Sequence, residues 1–149
     1  METAITDSRK NAIKVLLVED DDGDAKAFLR AFEKAEITNP IIRVLDGVAA
    51  FEVLRGTNGN TKLRKPYVII SDINMPRMDG ITFLQKLRED PELKKSVVFM
   101  LTTSDAQGDI YLSYASHTAG YIRKHRITED FLSIPKLISA YWNLVELPK

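Results

Sequence analysis

Cysteine is absent from the 149 residues of this chain. Disulfides, thiol nucleophiles and thiolate metal centres are therefore excluded. Histidine is nearly as scarce, with only His117 and His125, too few for a histidine-based zinc site. Neither sign of charge predominates: 21 lysines and arginines face 21 aspartates and glutamates, so bulk charge points to neither nucleic acid nor a membrane surface. No apolar run approaches the roughly 20 residues of a membrane span. The opening residues, METAITDSRKN, lack the apolar core of a secretory signal. Neither a P-loop nor a dinucleotide-binding glycine motif occurs. These absences leave the expectation of a soluble, cytoplasmic protein of one-domain length, large enough to bury a single core.

What the chain does contain is a regular alternation. Residues 1–12 are polar and are expected to be disordered, leaving 13–149 as the domain. VLLVED (15–20), IIRVL (41–45), YVIISD (67–72), VVFMLTT (97–103) and GYIRK (120–124) read as strands, the first with the continuous apolar character of a strand buried on both faces. Between them lie amphipathic patterns. Ala25, Phe28, Leu29 and Phe32 recur at helical spacing; Ala50, Phe51 and Leu54 mark a second helix, and Ile81, Leu84 and Leu87 a third. A fourth helix runs to about Ser116, and a last, aromatic helix covers roughly 129–146. GTNGNTKLRKP (56–66) is a long polar loop. Five strands alternating with five helices predict an α/β fold, a doubly wound five-stranded parallel sheet with helices on both faces.

Such sheets bind ligands beyond the carboxyl ends of their strands. Those ends carry Glu19 and Asp20, Asp72, Thr102, and Lys124. Three converging carboxylates repel one another, and a hard divalent cation relieves the repulsion. Magnesium suits the set, because it takes octahedral oxygen ligands and keeps several waters. Asp20 and Asp72 are the expected direct ligands, with Glu19 acting through water and the Asn74 backbone carbonyl adding an oxygen. Lys124 and the ion together could neutralise the oxygens of a phosphoryl group on Asp72, and a carboxylate nucleophile forming an aspartyl-phosphate is known chemistry.

With VEDD, DINMPRMDG, LTTS and GYIRK in this order, the chain resembles the response-regulator receiver domain of two-component signalling from about Lys14 to Val145. LTTSD, the lengthened 56–66 loop and the tail YWNLVELP make it most similar to stand-alone regulators that serve phytochrome-type histidine kinases. The resemblance implies a flavodoxin-like strand order 2-1-3-4-5. It implies Asp72 as phosphoacceptor with Thr102 and Lys124 as its catalytic companions, and a switch in which Thr102 moves toward the phosphoryl group as Tyr121 turns inward. It also implies a sensor histidine kinase, with a bacteriophytochrome as the candidate, as donor, a downstream protein or phosphotransfer partner, and no chemistry beyond self-catalysed transfer to and hydrolysis from its own aspartate. Two positions depart from the family pattern: His125 stands where a proline usually follows the lysine, and Thr103 where a small residue is common.

Two rivals are weighed against this reading. A haloacid-dehalogenase-type phosphatase needs an aspartate two residues after its nucleophile, and Asn74 stands there. A pseudo-receiver that binds without being phosphorylated is the alternative that the intact acid set argues against. The last helix carries Phe131, Ile134, Ile138, Tyr141, Trp142 and Val145, more apolar surface than one stripe against a sheet requires. Because Tyr141 and Trp142 are adjacent and cannot point the same way, a homodimer through the fourth and fifth helices is expected. Tyr121, Phe131, Ile138, Tyr141 and Trp142 are its interface, with one of the adjacent rings buried between chains.

Overall fold

The computed structural model describes residues 13–104, 106–124 and 133–148. Five strands, β1 (Lys14–Val18), β2 (Ile41–Val44), β3 (Tyr67–Ser71), β4 (Val97–Thr102) and β5 (Gly120–Arg123), form one parallel sheet in the order 2-1-3-4-5. Helices α1 (Asp22–Lys34), α2 (Gly47–Arg55), α3 (Gly80–Glu89) and α4 (Gln107–Ala115) make the four crossovers, and α5 (Ser133–Leu144) follows β5. Each strand stops a residue or two short of its sequence-predicted end. That shortening places Glu19, Asp20, Asp72 and Lys124 in loops just past the sheet. The expected disordered segment 1–12 and the start of the last helix at 129–132 lie outside the described residues.

The unbroken apolar runs are explained by two cores. Side chains alternate across a strand, so Leu16, Val18, Ile69, Val98 and Met100 enter one core with α2 and α3. Val15, Leu17, Val68, Ile70, Phe99 and Leu101 enter the other, with Phe28 and Phe32 of α1 and Ile134, Ile138 and Trp142 of α5. A sheet covered on both faces has no polar side, which is why these strands do not alternate in hydropathy. Aromatic pairs stiffen both layers: the Phe28 and Phe32 rings stack with centroids 4.8 Å apart, and Phe51 meets Phe83 edge-on at 5.1 Å.

Two expectations about helix faces need correction. Leu29 was placed on the buried stripe of α1, but it is partly exposed, and Ala31 fills the inner position. On α5, Ile138 and Trp142 were assigned to an interface between copies. Both are buried in this chain's own core, together with Ile134 one turn earlier. Tyr141 packs edge-on against Phe99, centroids 5.1 Å apart, on the same core. A helix turns 100° per residue, so neighbouring rings do diverge, yet Tyr141 meets Phe99 of β4 while Trp142 is buried in the same core. Phe131 lies outside the described residues. Other large apolar side chains are left in solvent, among them Tyr111, Leu112 and Tyr114 on α4, Leu137 and Leu144 on α5, Val145 just beyond it, and Leu45 after β2.

Candidate functional site

The sheet register delivers the acids to one point. Val18 pairs with Ser71 across β1 and β3, and the Asp72 N–H donates to the Val18 carbonyl at 3.0 Å. On the other side of β1, the Glu19 N–H donates to the Val44 carbonyl at 3.0 Å. Arg43 of β2 pins the same turn, donating to the Glu19 carbonyl at 2.9 Å and to the Asp22 carboxylate at 2.8 Å. One carboxylate oxygen from each of Glu19, Asp20 and Asp72 lies within 4.8 Å of the others. Glu19 is buried, Asp20 faces solvent and Asp72 is intermediate.

The loop after β3 is built to present Asp72. Its Oδ1 accepts the Ile73 N–H at 2.7 Å, which leaves Oδ2 directed at Lys124. Asp79 caps α3 by accepting the Thr82 N–H at 2.8 Å. Gly80 closes the loop, donating its N–H to the Ile73 carbonyl at 2.8 Å. A Cβ at Gly80 would collide with the Asp72 carbonyl oxygen, so only glycine permits this approach. Arg77 adopts a left-handed φ of 61°, and its guanidinium clasps Asp46 through Nε at 2.8 Å and Nη2 at 3.1 Å. Asp46 also caps α2 through the Ala49 N–H at 2.9 Å. Its own burial would raise the Asp46 pKa, but Arg77 and the cap hydrogen bonds outweigh that and hold it below the usual carboxylate range. Neither Asp46 nor Arg77 was singled out from sequence. The signal available was weak: an aspartate before a helix and an arginine in a loop.

Lys124 enters from the far end of β5 and is almost wholly buried, its side chain 8% exposed. Its ammonium contacts three carboxylates: Asp24 Oδ2 at 2.6 Å, Glu19 Oε1 at 2.9 Å and Asp72 Oδ2 at 3.5 Å. Burial alone would lower the lysine pKa, but the hydrogen bonds to Asp24 and Glu19 and the charge of Asp72 overcome it, and the net shift is upward. Burial pushes the Glu19 carboxyl up to about 7 even though Lys124 pulls the other way. Asp24 was not foreseen. It is one of four aspartates in DDDGD, and nothing in that run distinguishes it.

Thr102 ends β4, fully buried, and its Oγ1 accepts the Ser104 N–H at 3.2 Å. Thr103 beside it is exposed. The Tyr121 hydroxyl donates to the Ser104 carbonyl at 2.9 Å, and the Ser104 hydroxyl donates to Asp109 at 2.7 Å. Ser104 therefore connects Thr102 to the half-buried Tyr121 ring through its own peptide groups. Asn74 follows the acids in the β3–α3 loop and is exposed, and His125 lies outside the described residues.

The three acids present the all-oxygen donor set that hard divalent cations prefer. The comparisons with known proteins agree with this architecture. Residues 15–134 match the family model described as the response regulator receiver domain. The chain is 31% identical over 135 residues to the response regulator Rcp1 of Synechocystis sp., covering 90% of this chain and 92% of that protein. The Mn(2+)-bound form of Rcp1 superposes with a TM-score of 0.80 at 31% identity, covering 91% of this chain and 99% of that one. The phosphorylated cyanobacterial phytochrome response regulator RcpA superposes with a TM-score of 0.81 at 31% identity, covering 91% and 98%. With sheet order, acid cluster and buried lysine in agreement, the chain belongs to the response regulator receiver domain family.

Proposed function

We propose that this chain accepts a phosphoryl group on Asp72 from the phosphohistidine of a sensor histidine kinase and signals through the surface that the phosphorylation remodels. The observation that carries the reading is the buried Lys124 ammonium set among Glu19, Asp24 and Asp72 beside the exposed Asp20. In the transfer, an Asp72 carboxylate oxygen forms the new O–P bond as the N–P bond of the phosphohistidine breaks, and the imidazole nitrogen recovers a proton. Hydrolysis reverses the capture: a water oxygen bonds to phosphorus, the Asp72 O–P bond breaks, and inorganic phosphate leaves. We propose Mg2+ as the resident ion: Asp20, Asp72 and the Asn74 carbonyl would hold it, with Glu19 acting through water, and it would supply charge neutralisation for a phosphoryl group.

The chain's own residues do the rest. Ile73 N–H fixes the rotamer of Asp72, and Lys124 offers an N–H donor to its free carboxylate oxygen. The Thr102 hydroxyl gains a phosphoryl oxygen as a partner, and Ser104, bonded to both Thr102 and Tyr121, conveys that movement to the face formed by α4, β5 and α5. Such a change is a two-state shift biased by one covalent event. RcpA is a cyanobacterial phytochrome response regulator, and the likeness supports a phytochrome-type kinase as donor here. Among the described residues no helix is long and apolar enough to cross a membrane, which fits a cytoplasmic setting. The exposed Tyr111, Leu137 and Leu144 support a homodimer through α4 and α5, with a downstream protein or phosphotransfer partner as the other occupant of that face.

Intact-mass measurement after incubation with acetyl phosphate and magnesium tests the reading. One phosphate is expected on the wild type, dependent on magnesium, and none on Asp72→Asn. Labelling of the variant to the wild-type extent would refute the assignment.

A further inference from the structure

Asp24 is the closest partner of Lys124, at 2.6 Å, whereas the acceptor Asp72 stands at 3.5 Å. The ammonium has three hydrogens, and Glu19 takes another at 2.9 Å. Its two firm partners differ in what they can exchange. The Glu19 side chain is 3% exposed, so water cannot replace the lysine there. The Asp24 side chain is 37% exposed, so solvent can take over its carboxylate when the lysine leaves. Asp24 is also held in place, because its own N–H donates to the Asp21 carboxylate at 2.7 Å in the cap of α1.

We propose that Asp24 is a positioning residue that holds Lys124 back from Asp72 in the unphosphorylated protein and thereby slows phosphoryl acceptance. The proposal rests on the receiver reading above. A phosphoryl group brings a charge of roughly −1.5 to −2 to Asp72, and Lys124 must lean toward it to stabilise the transfer. Every increment of that movement weakens the contact with Asp24. The carboxylate of Asp24 also adds a like charge to a site that is acquiring negative charge. Both effects have the same sign, so removing the charge of Asp24 accelerates acceptance.

The test compares Asp24→Asn with Asp21→Asn, which removes a neighbouring charge but keeps the helix cap, since asparagine caps as well as aspartate. Phosphorylation by acetyl phosphate at saturating magnesium is followed by intact mass. A second readout is the NMR resonance of the Lys124 ammonium in metal-free protein. A partly exposed ion pair is worth about a two- to fivefold change in rate. Asp24→Asn is expected to be phosphorylated faster by that factor and to shift the Lys124 resonance, with Asp21→Asn like the wild type in both. An unchanged or slower Asp24→Asn, an unmoved lysine resonance, or an equal acceleration by Asp21→Asn would overturn the proposal. Wild type that takes no phosphate would defeat the receiver reading instead, and the lysine resonance would still report on Asp24.

Discussion

Replacing Asp72 by asparagine should make the metal-free protein more stable, and the site geometry gives the size. Glu19, Asp20 and Asp72 place carboxylate oxygens within 4.8 Å of one another. Between the limits of water and a typical protein surface, each repulsion is worth about 0.9 to 3.5 kcal/mol at that distance. The opposing attraction of Lys124 at 3.5 Å is worth about 1.2 to 4.7 kcal/mol on the same scale. Deleting the Asp72 charge removes two repulsions and one attraction, a net gain of about 0.5 to 2 kcal/mol. The asparagine oxygen must stay on the Ile73 N–H, which turns the amide NH2 toward Lys124 and reduces the gain toward about 1 kcal/mol. Urea unfolding at pH 8 in chelator and low salt measures it, because above about 7 Glu19 is charged and the full cluster repels. Magnesium should then narrow the difference. At tenfold excess over its dissociation constant it stabilises the wild type by about 1.4 kcal/mol, and the variant by less. A variant less stable than the wild type in chelator would refute the electrostatic reasoning, since it would mean Lys124 outweighs both acids.

Metal affinity should rise with pH. The Glu19 carboxyl holds its proton up to about 7, so below that pH the proton competes with the ion and above it does not; magnesium titrations at pH 6 and pH 8 read the difference, and equal affinities would remove Glu19 from the metal set. The raised value also carries a stability sign: for Glu19 the folded state binds the proton more tightly than the unfolded chain, so its contribution falls as pH rises from the unfolded value through 7 in the absence of metal. Asp46→Ala, which deletes the cap of α2 and the partner of Arg77 together, should cost about 1 to 3 kcal/mol, whereas Arg77→Gly, which relieves the left-handed φ, should cost less, as urea midpoints will show. Trp142→Ala should destabilise the monomer by about 3 to 5 kcal/mol, as for other large core truncations. An unchanged unfolding midpoint with altered sedimentation would return Trp142 to an interface.

The α/β alternation, the two-sided burial of the strands and the acids at their ends were all legible in the sequence, because each is a local signal. An apolar run such as VLLV reports its own burial, and the residue after it must emerge at the sheet's carboxyl edge whatever else the chain does. The parallel order of the strands then brings Glu19, Asp20, Asp72, Thr102 and Lys124 to one edge. What local signals could not decide is which polar groups pair once they arrive. Lys124 meets Asp24 across 100 residues of chain, and Asp46 meets Arg77 across 31. In both cases the choice is made by the angle at which a helix or loop leaves the sheet, which shifts a carboxylate by the few ångströms separating a hydrogen bond from none. The same holds for α5. Its apolar content was plain, but whether Tyr141 and Trp142 face solvent or core depends on contacts such as that of Tyr141 with Phe99. Those contacts exist only when β4 and α5 are packed together.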